Sequence, residues 1–67
     1  MYNNYVRLRD ERGLTDYRVA KDTGLNATLF SDWKRGKSSP KIDKLLIIAE
    51  YFGVTLEELV NGSGTND

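Results

Sequence analysis

Apolar residues recur along this chain three and four positions apart, and glycines interrupt them at intervals; that pattern predicts a succession of short helices. The first is expected from Asn3 to Arg12, with Tyr5, Leu8 and Val6 turned inward and Gly13 ending it. Thr15 can cap a second helix from Asp16 to Thr23, whose inward residues are Val19 and Ala20. A third is expected from Ala27 to Arg35, capped by Asn26 and ended by Gly36, with Phe30 and Trp33 on one face. Ser39 followed by Pro40 reads as a cap and a first helical position, so the fourth helix is expected to start there and run to Phe52. Ile42, Leu45, Ile48, Ala49 and Phe52 form its apolar stripe. Thr55-Leu-Glu-Glu58 is a capping box that opens a fifth helix reaching Val60. The expected core joins these residues to Leu14, Leu25, Val54, Leu56 and Leu59. The reading is one all-α domain over residues 1–61, with a polar, disordered tail over 62–67.

The second and third helices are the informative pair. Gly24 stands where the chain must turn, and glycine takes a positive φ without steric cost. Ala20 carries only a methyl where the two helices cross. At about 100° per residue, the face opposite Phe30 and Trp33 holds Thr28, Ser31, Asp32 and Arg35. Two helices joined this tightly hold the second outward at a fixed angle, the arrangement that lets a helix enter the DNA major groove.

From Thr15 to Gly36 the chain resembles the Cro/repressor-type, or xenobiotic-response-element, helix-turn-helix family of phage-repressor-like DNA-binding regulators. The resemblance extends outward. Leu8-Arg9 and Gly13-Leu14-Thr15 resemble the family's first helix and its exit, and Pro40, Leu45, Ile48-Ala49, Phe52-Gly53-Val54-Thr55 and Leu59 resemble its fourth and fifth helices. It implies a five-helix, lambda-repressor-like fold, double-stranded DNA as partner, and transcriptional regulation, as a repressor, with recognition helix 27–35 in the major groove. Three positions depart from the family. Asp16 stands where a glutamine commonly meets a phosphate. Lys34 replaces the glutamate that the family pairs with the arginine at Arg9, so Arg9 needs another partner or solvent. Thr23 replaces an apolar residue.

Sixty-seven residues give room for one thin core. No cysteine and no histidine are present, so disulfides and the usual soft metal ligands are excluded, and neither metal nor cofactor is expected. The same absence, with no nucleophile–base pair, argues against an enzyme. The longest apolar run, Leu45–Ala49, is too short to span a membrane, and the cytoplasm is the expected compartment. A net charge of zero is at first sight wrong for a DNA binder. Its distribution changes the picture: residues 1–44 hold all ten Lys and Arg against six acids, and residues 45–67 hold four acids and no base. Lys34, Arg35, Lys37, Lys41 and Lys44 gather just after the third helix, and a local patch matters more than the total to a phosphate backbone.

The candidate base readers are Ala27, Thr28 and Asp32. The first two can meet a thymine methyl, threonine can also hydrogen-bond, and aspartate can accept from cytosine N4. The candidate phosphate contacts are Thr15, Asn26, Ser31, Arg35, Lys37 and Lys41, with Lys34 and Lys44 behind them. Each of these can also be read as an ordinary cap or surface residue; the functional reading is favoured for Thr28 and the capping role for Asn26. The free amides at the start of the second helix can also bind phosphate if Asp16 is turned aside. A single unit covers few base pairs, so a homodimer is expected, formed either in free solution or only on DNA, with Ile47, Tyr51 and Val60 as candidate contacts. The alternative is an antitoxin-like protein-interaction module on the same fold, kept open by the neutral total charge and by Asp16 and Asp32.

Overall fold

The computed structural model describes residues 1–62, which form α1 (Tyr2–Glu11), α2 (Asp16–Thr23), α3 (Ala27–Lys34), α4 (Ile42–Phe52) and α5 (Leu56–Asn61). The starts of α2, α3 and α5 and the turn after α2 have local causes. Thr15 Oγ1 accepts from the Arg18 amide at 3.1 Å, and Asn26 Oδ1 accepts from the Thr28 amide at 2.8 Å. Thr55 and Glu58 form the reciprocal capping box. Gly24, at φ +79°, supplies the left-handed turn between α2 and α3. Thr23 makes its hydroxyl useful there, donating to the Val19 carbonyl at 2.7 Å and accepting from the Leu25 amide at 3.3 Å.

The core is organised around Tyr5. Its fully buried ring lies 5.3 Å from Phe30, 5.1 Å from Trp33 and 5.9 Å from Phe52, centroid to centroid, so one residue of α1 joins α3 and α4. Val19, Ile48 and Leu59 are also fully buried. Leu14, Leu25, Val54 and Leu56 are half-buried and pack against this cluster, as do Tyr2 and Leu29, which the sequence pattern did not assign to it. Helix α5 packs on α1 and α4, and Asn4 Nδ2 donates to the Val60 carbonyl at 3.0 Å. Arg12 closes the far corner, donating to the carbonyls of Leu8 and Phe52, each at 3.0 Å, over the Phe52 ring. Helix-terminal carbonyls that lack an intrahelical partner are thereby satisfied.

The fourth helix departs from expectation. Ser39 and Pro40 are not its cap and first position; Lys41 is the N-cap, without a side-chain bond, and Ile42 is the first helical residue. Pro40 is buried instead, so the chain runs extended past it before turning helical. Ile42, expected in the core, is 59% exposed. It stands about 60° round the helix from Leu45, on the side away from Ile48, at the margin of the stripe. Smaller differences lie at the ends: α1 begins at Tyr2, α3 ends at Lys34, and α5 reaches Asn61. Of the expected tail, Gly62 is described, and it is buried: its amide bonds to the Glu58 carbonyl at 2.8 Å and it approaches Asn4 closely. The remainder, 63–67, lies outside the described residues.

Candidate nucleic-acid interface

Helix α3 is held by its aromatic face. Phe30 and Trp33 are buried, while Ala27, Thr28 and Ser31 are exposed on its other side. The sequence therefore fixes which face looks outward, because eight residues cannot bury one aromatic pair and rotate it away. The first turn presents a methyl and a hydroxyl, side chains short enough to let the helix approach base edges closely.

The end of α3 is joined rigidly to the cationic loop. Gly36 takes φ +72°, its amide donates to the Trp33 carbonyl at 3.1 Å, and the Lys37 amide donates to the Asp32 carbonyl at 2.8 Å. This pair of reversed bonds is the Schellman stop, which needs a left-handed residue at its centre. The Ser38 amide points at the same Asp32 oxygen at 3.4 Å. Lys34, Arg35, Lys37, Lys41 and Lys44 are all exposed. Lys44 Nζ lies 3.7 Å from Asp43 Oδ2. Arg35, Lys37 and Lys41 thus stand on a connection that the Gly36 and Lys37 amide bonds tie to α3, with Lys34 at the end of α3 and Lys44 in α4.

Asp32 is the candidate with the most altered position. It is half-buried on the flank of α3, and its Oδ1 lies 3.4 Å from Arg35 Nη2. A proposed base reader and a proposed phosphate contact therefore hold each other in the free protein. Asn26 and Thr28 are also brought together, through the cap bond. Thr15 belongs to a separate corner, the start of α2, where its hydroxyl is engaged as a cap.

That corner answers both departures at Arg9 and Asp16. Arg9 Nη1 and the Tyr5 hydroxyl both donate to Asp16 Oδ1, at 2.9 and 2.6 Å. Asp10 takes the other side of the guanidinium at 2.9 Å. Arg9 thus takes an acidic partner from the second helix, with Lys34 standing on the third. Burial first, and then the bond to Asp16, push the Tyr5 phenol well above its ordinary range, so it is a donor at any ordinary pH. Asp16 is turned aside into this cluster, and its charge is matched by Arg9. Sequence reasoning noted each departure separately; the signal it missed was that the two compensate.

A second cluster of the same composition holds the other end of α2. The Tyr51 hydroxyl donates to Asp22 Oδ2 at 2.6 Å, and Arg18 Nε donates to the same oxygen at 2.9 Å. The bonds from Tyr51 and then Arg18 hold the Asp22 carboxyl below its usual range. Tyr51, expected on the outward face of α4, is therefore half-buried and turned toward α2, its ring 5.3 Å from Phe52. Val60 is half-buried against the core as well. The exposed apolar residues of α4 are Ile42, Leu46 at 50% and Ile47 at 38%. Leu46 was not a sequence candidate, because it falls beside the stripe and reads as part of the Leu45–Ala49 run. Among the described residues no helix is long and apolar enough to cross a membrane, and no acidic group has metal-site geometry.

The helix-turn-helix family profile matches residues 7–59, which takes in α2, α3 and α4 whole, the second half of α1 and most of α5. The chain is 34% identical over 67 residues to the cryptic-phage CTXphi transcriptional repressor RstR of Vibrio cholerae, spanning 98% of this chain and 60% of that protein. It is 34% identical over 56 residues to the transcriptional activator BcrR of Enterococcus faecalis, 84% of this chain and 28% of that one. It is 33% identical over 55 residues to a helix-turn-helix transcriptional regulator of Deinococcus deserti, 82% of this chain and 43% of that one. The all-helical fold, the tight α2–α3 turn and the match over nearly the whole chain agree, and the chain belongs to the Cro/repressor-type helix-turn-helix family.

Proposed function

We infer that this protein is a sequence-specific, double-stranded DNA-binding transcription regulator that places α3 in the major groove. The observation that carries the reading is the continuous surface from the exposed Ala27, Thr28 and Ser31 into the cationic loop fixed by Gly36. Ala27 and Thr28 are the proposed base contacts, with Asp32 as a third. Arg35, Lys37 and Lys41 are the proposed phosphate contacts, with Ser31, Asn26 and Thr15 as weaker ones through their remaining hydrogen-bonding capacity. No cofactor enters this reading, and the relatives that support it are regulators, not enzymes. One of them is named a repressor and another an activator, so the shared domain does not itself set the sign of regulation. We retain repression as the simpler outcome, since a bound domain can exclude polymerase without a further contact. The compartment that follows from this reading is the cytoplasm.

Selecting bound DNA from a random-sequence pool tests it. A single enriched motif with a steep fall of affinity in salt is the expected result; no enrichment and no affinity at low salt would overturn it. The protein-interaction reading is favoured by one observation, the exposed Ile42, Leu46 and Ile47 on α4. The two readings part at the same experiment, because an interaction module would bind no duplex at any salt. We further propose that DNA is bound by a two-fold pair of chains, with Ile47 joined by Leu46 and Ile42 at the contact in place of Tyr51 and Val60.

A further inference from the structure

We propose that Asp32 is a specificity-determining residue that holds Arg35 off the DNA backbone and releases it only where a cytosine amino group takes its place. The proposal rests on the reading of α3 as the DNA-facing helix. Asp32 is the sole carboxylate between Asp22 and Asp43, and the four cations Lys34, Arg35, Lys37 and Lys41 all fall within that interval. Its main-chain carbonyl receives the Lys37 amide, which ties the start of the cationic loop to the last turn of α3. Its side chain, half-buried on the flank of α3, faces Arg35 Nη2 at 3.4 Å.

Two consequences follow from charge. A carboxylate brought near phosphates is repelled by them, and the repulsion grows as water is displaced from the interface. The arginine paired with it cannot neutralise a phosphate without leaving it, and a carboxylate left without a donor at a closed interface is costly. On arbitrary sequence both effects weaken binding. Where a C·G pair presents the cytosine N4 amino group in the major groove, Asp32 gains a donor, and Arg35 is free to move to the backbone. The pair of residues therefore makes one phosphate contact conditional on one base. A lone cation at position 35 would contact every sequence alike, and a lone aspartate would only repel.

The test compares wild type, Asp32→Ala, Asp32→Asn, Arg35→Ala and the double variant Asp32→Ala/Arg35→Ala. Each is titrated by fluorescence anisotropy against a random-sequence duplex and against the site selected by wild type, over a range of salt. The Asp32 carbonyl, not its side chain, anchors the loop, so these variants keep the fold, and circular dichroism checks it. Removing the carboxylate is expected to tighten binding to the random duplex several-fold and to steepen its log–log salt slope by about 0.9, the share of one phosphate contact. In the Arg35→Ala background the steepening should vanish. Repeating the selection with Asp32→Ala should erase a C·G preference at one position and leave the others. An unchanged slope on the random duplex overturns the proposal, as does a gain that persists without Arg35, which would mean bulk repulsion alone. A wild-type protein that binds neither duplex at low salt would instead defeat the DNA reading on which the proposal stands.

Discussion

Trp33 lies in the core with Tyr2 and Tyr5 against its ring, the two centroids at 5.4 and 5.1 Å. Truncation to alanine removes a large part of so small an interior and is expected to cost roughly 3–5 kcal/mol, comparable with the whole stability of a domain this size. The measurement is urea unfolding followed by circular dichroism, and a loss under about 1 kcal/mol would place Trp33 outside the core. The same residue reports on itself: its fluorescence should be blue-shifted in the folded protein and red-shifted in urea. Tyr5 makes a different prediction. Its phenol is held protonated by burial and by Asp16, whereas an unfolded tyrosine releases its proton near pH 10. The folded pKa lies above the unfolded one, so this contribution is complete below about pH 10 and is lost as pH rises beyond it. Urea midpoints should fall steeply in alkali, and Tyr5→Phe should flatten that fall in part, since the Tyr51 phenol is raised by its bond to Asp22 as well. An identical alkaline profile in wild type and Tyr5→Phe would show that the Tyr5 phenol is neither buried nor bonded to Asp16 in solution.

Helix α3 contributes both a face and an end, and the end depends on Gly36. At φ +72° a side chain is strained even though open space surrounds the position. Gly36→Ala is expected to cost about 1–2 kcal/mol of stability, the penalty of the left-handed conformation for a residue with a Cβ. The Lys37 amide then loses its hold on the Asp32 carbonyl, and affinity for every duplex should fall together, since phosphate contacts and not base contacts are displaced. A change of sequence preference at unchanged overall affinity would contradict this account. The caps are separable from it. Asn26→Ala and Thr15→Ala should each cost about 1 kcal/mol by freeing amides at the starts of α3 and α2. Thr28→Ala should cost little stability, because the cap bond uses its amide and not its hydroxyl. Its effect is expected instead at one or two base positions, at about 1–3 kcal/mol for a good contact. A uniform loss across all sites, or none, would remove Thr28 from the base-reading set.

At the scale of the whole molecule, the proposed two-fold pairing would let two copies of α3 read two half-sites. Two α3 helices set about 34 Å apart reach successive turns of the same groove face. The exposed apolar side chains of α4 are the surface with the most to gain from a partner. Leu46→Asp together with Ile47→Asp should keep the fold, as circular dichroism checks, since both residues lie outside the buried core. It should convert a two-chain complex on a palindromic site into a single-chain complex of much lower affinity, read by sedimentation. A wild-type complex of one chain per duplex, on a site without two-fold symmetry, would end the dimer mechanism.

The number of helices, the identity of the turn and the buried face of α3 were legible in the residues alone. Those features are local: caps, left-handed glycines and a three-to-four residue period act within one or two turns, so Thr15, Gly24, Asn26 and the Thr55–Glu58 box report their own structure. The outward side of Ala27, Thr28 and Ser31 followed from the aromatic pair opposite them. What failed at short range was the start of α4, where Pro40 carries an N-terminal signal and is instead buried, a choice made by packing. Only the tertiary structure decided the polar side chains. Arg9 and Asp16, seven positions apart, meet because the α1–α2 corner brings them together. Tyr51 and Asp22, twenty-nine positions apart, meet because α4 crosses the end of α2. A long polar side chain has several partners within reach, and the sequence does not choose among them. The choice falls to the distances and exposures that exist once the helices have docked.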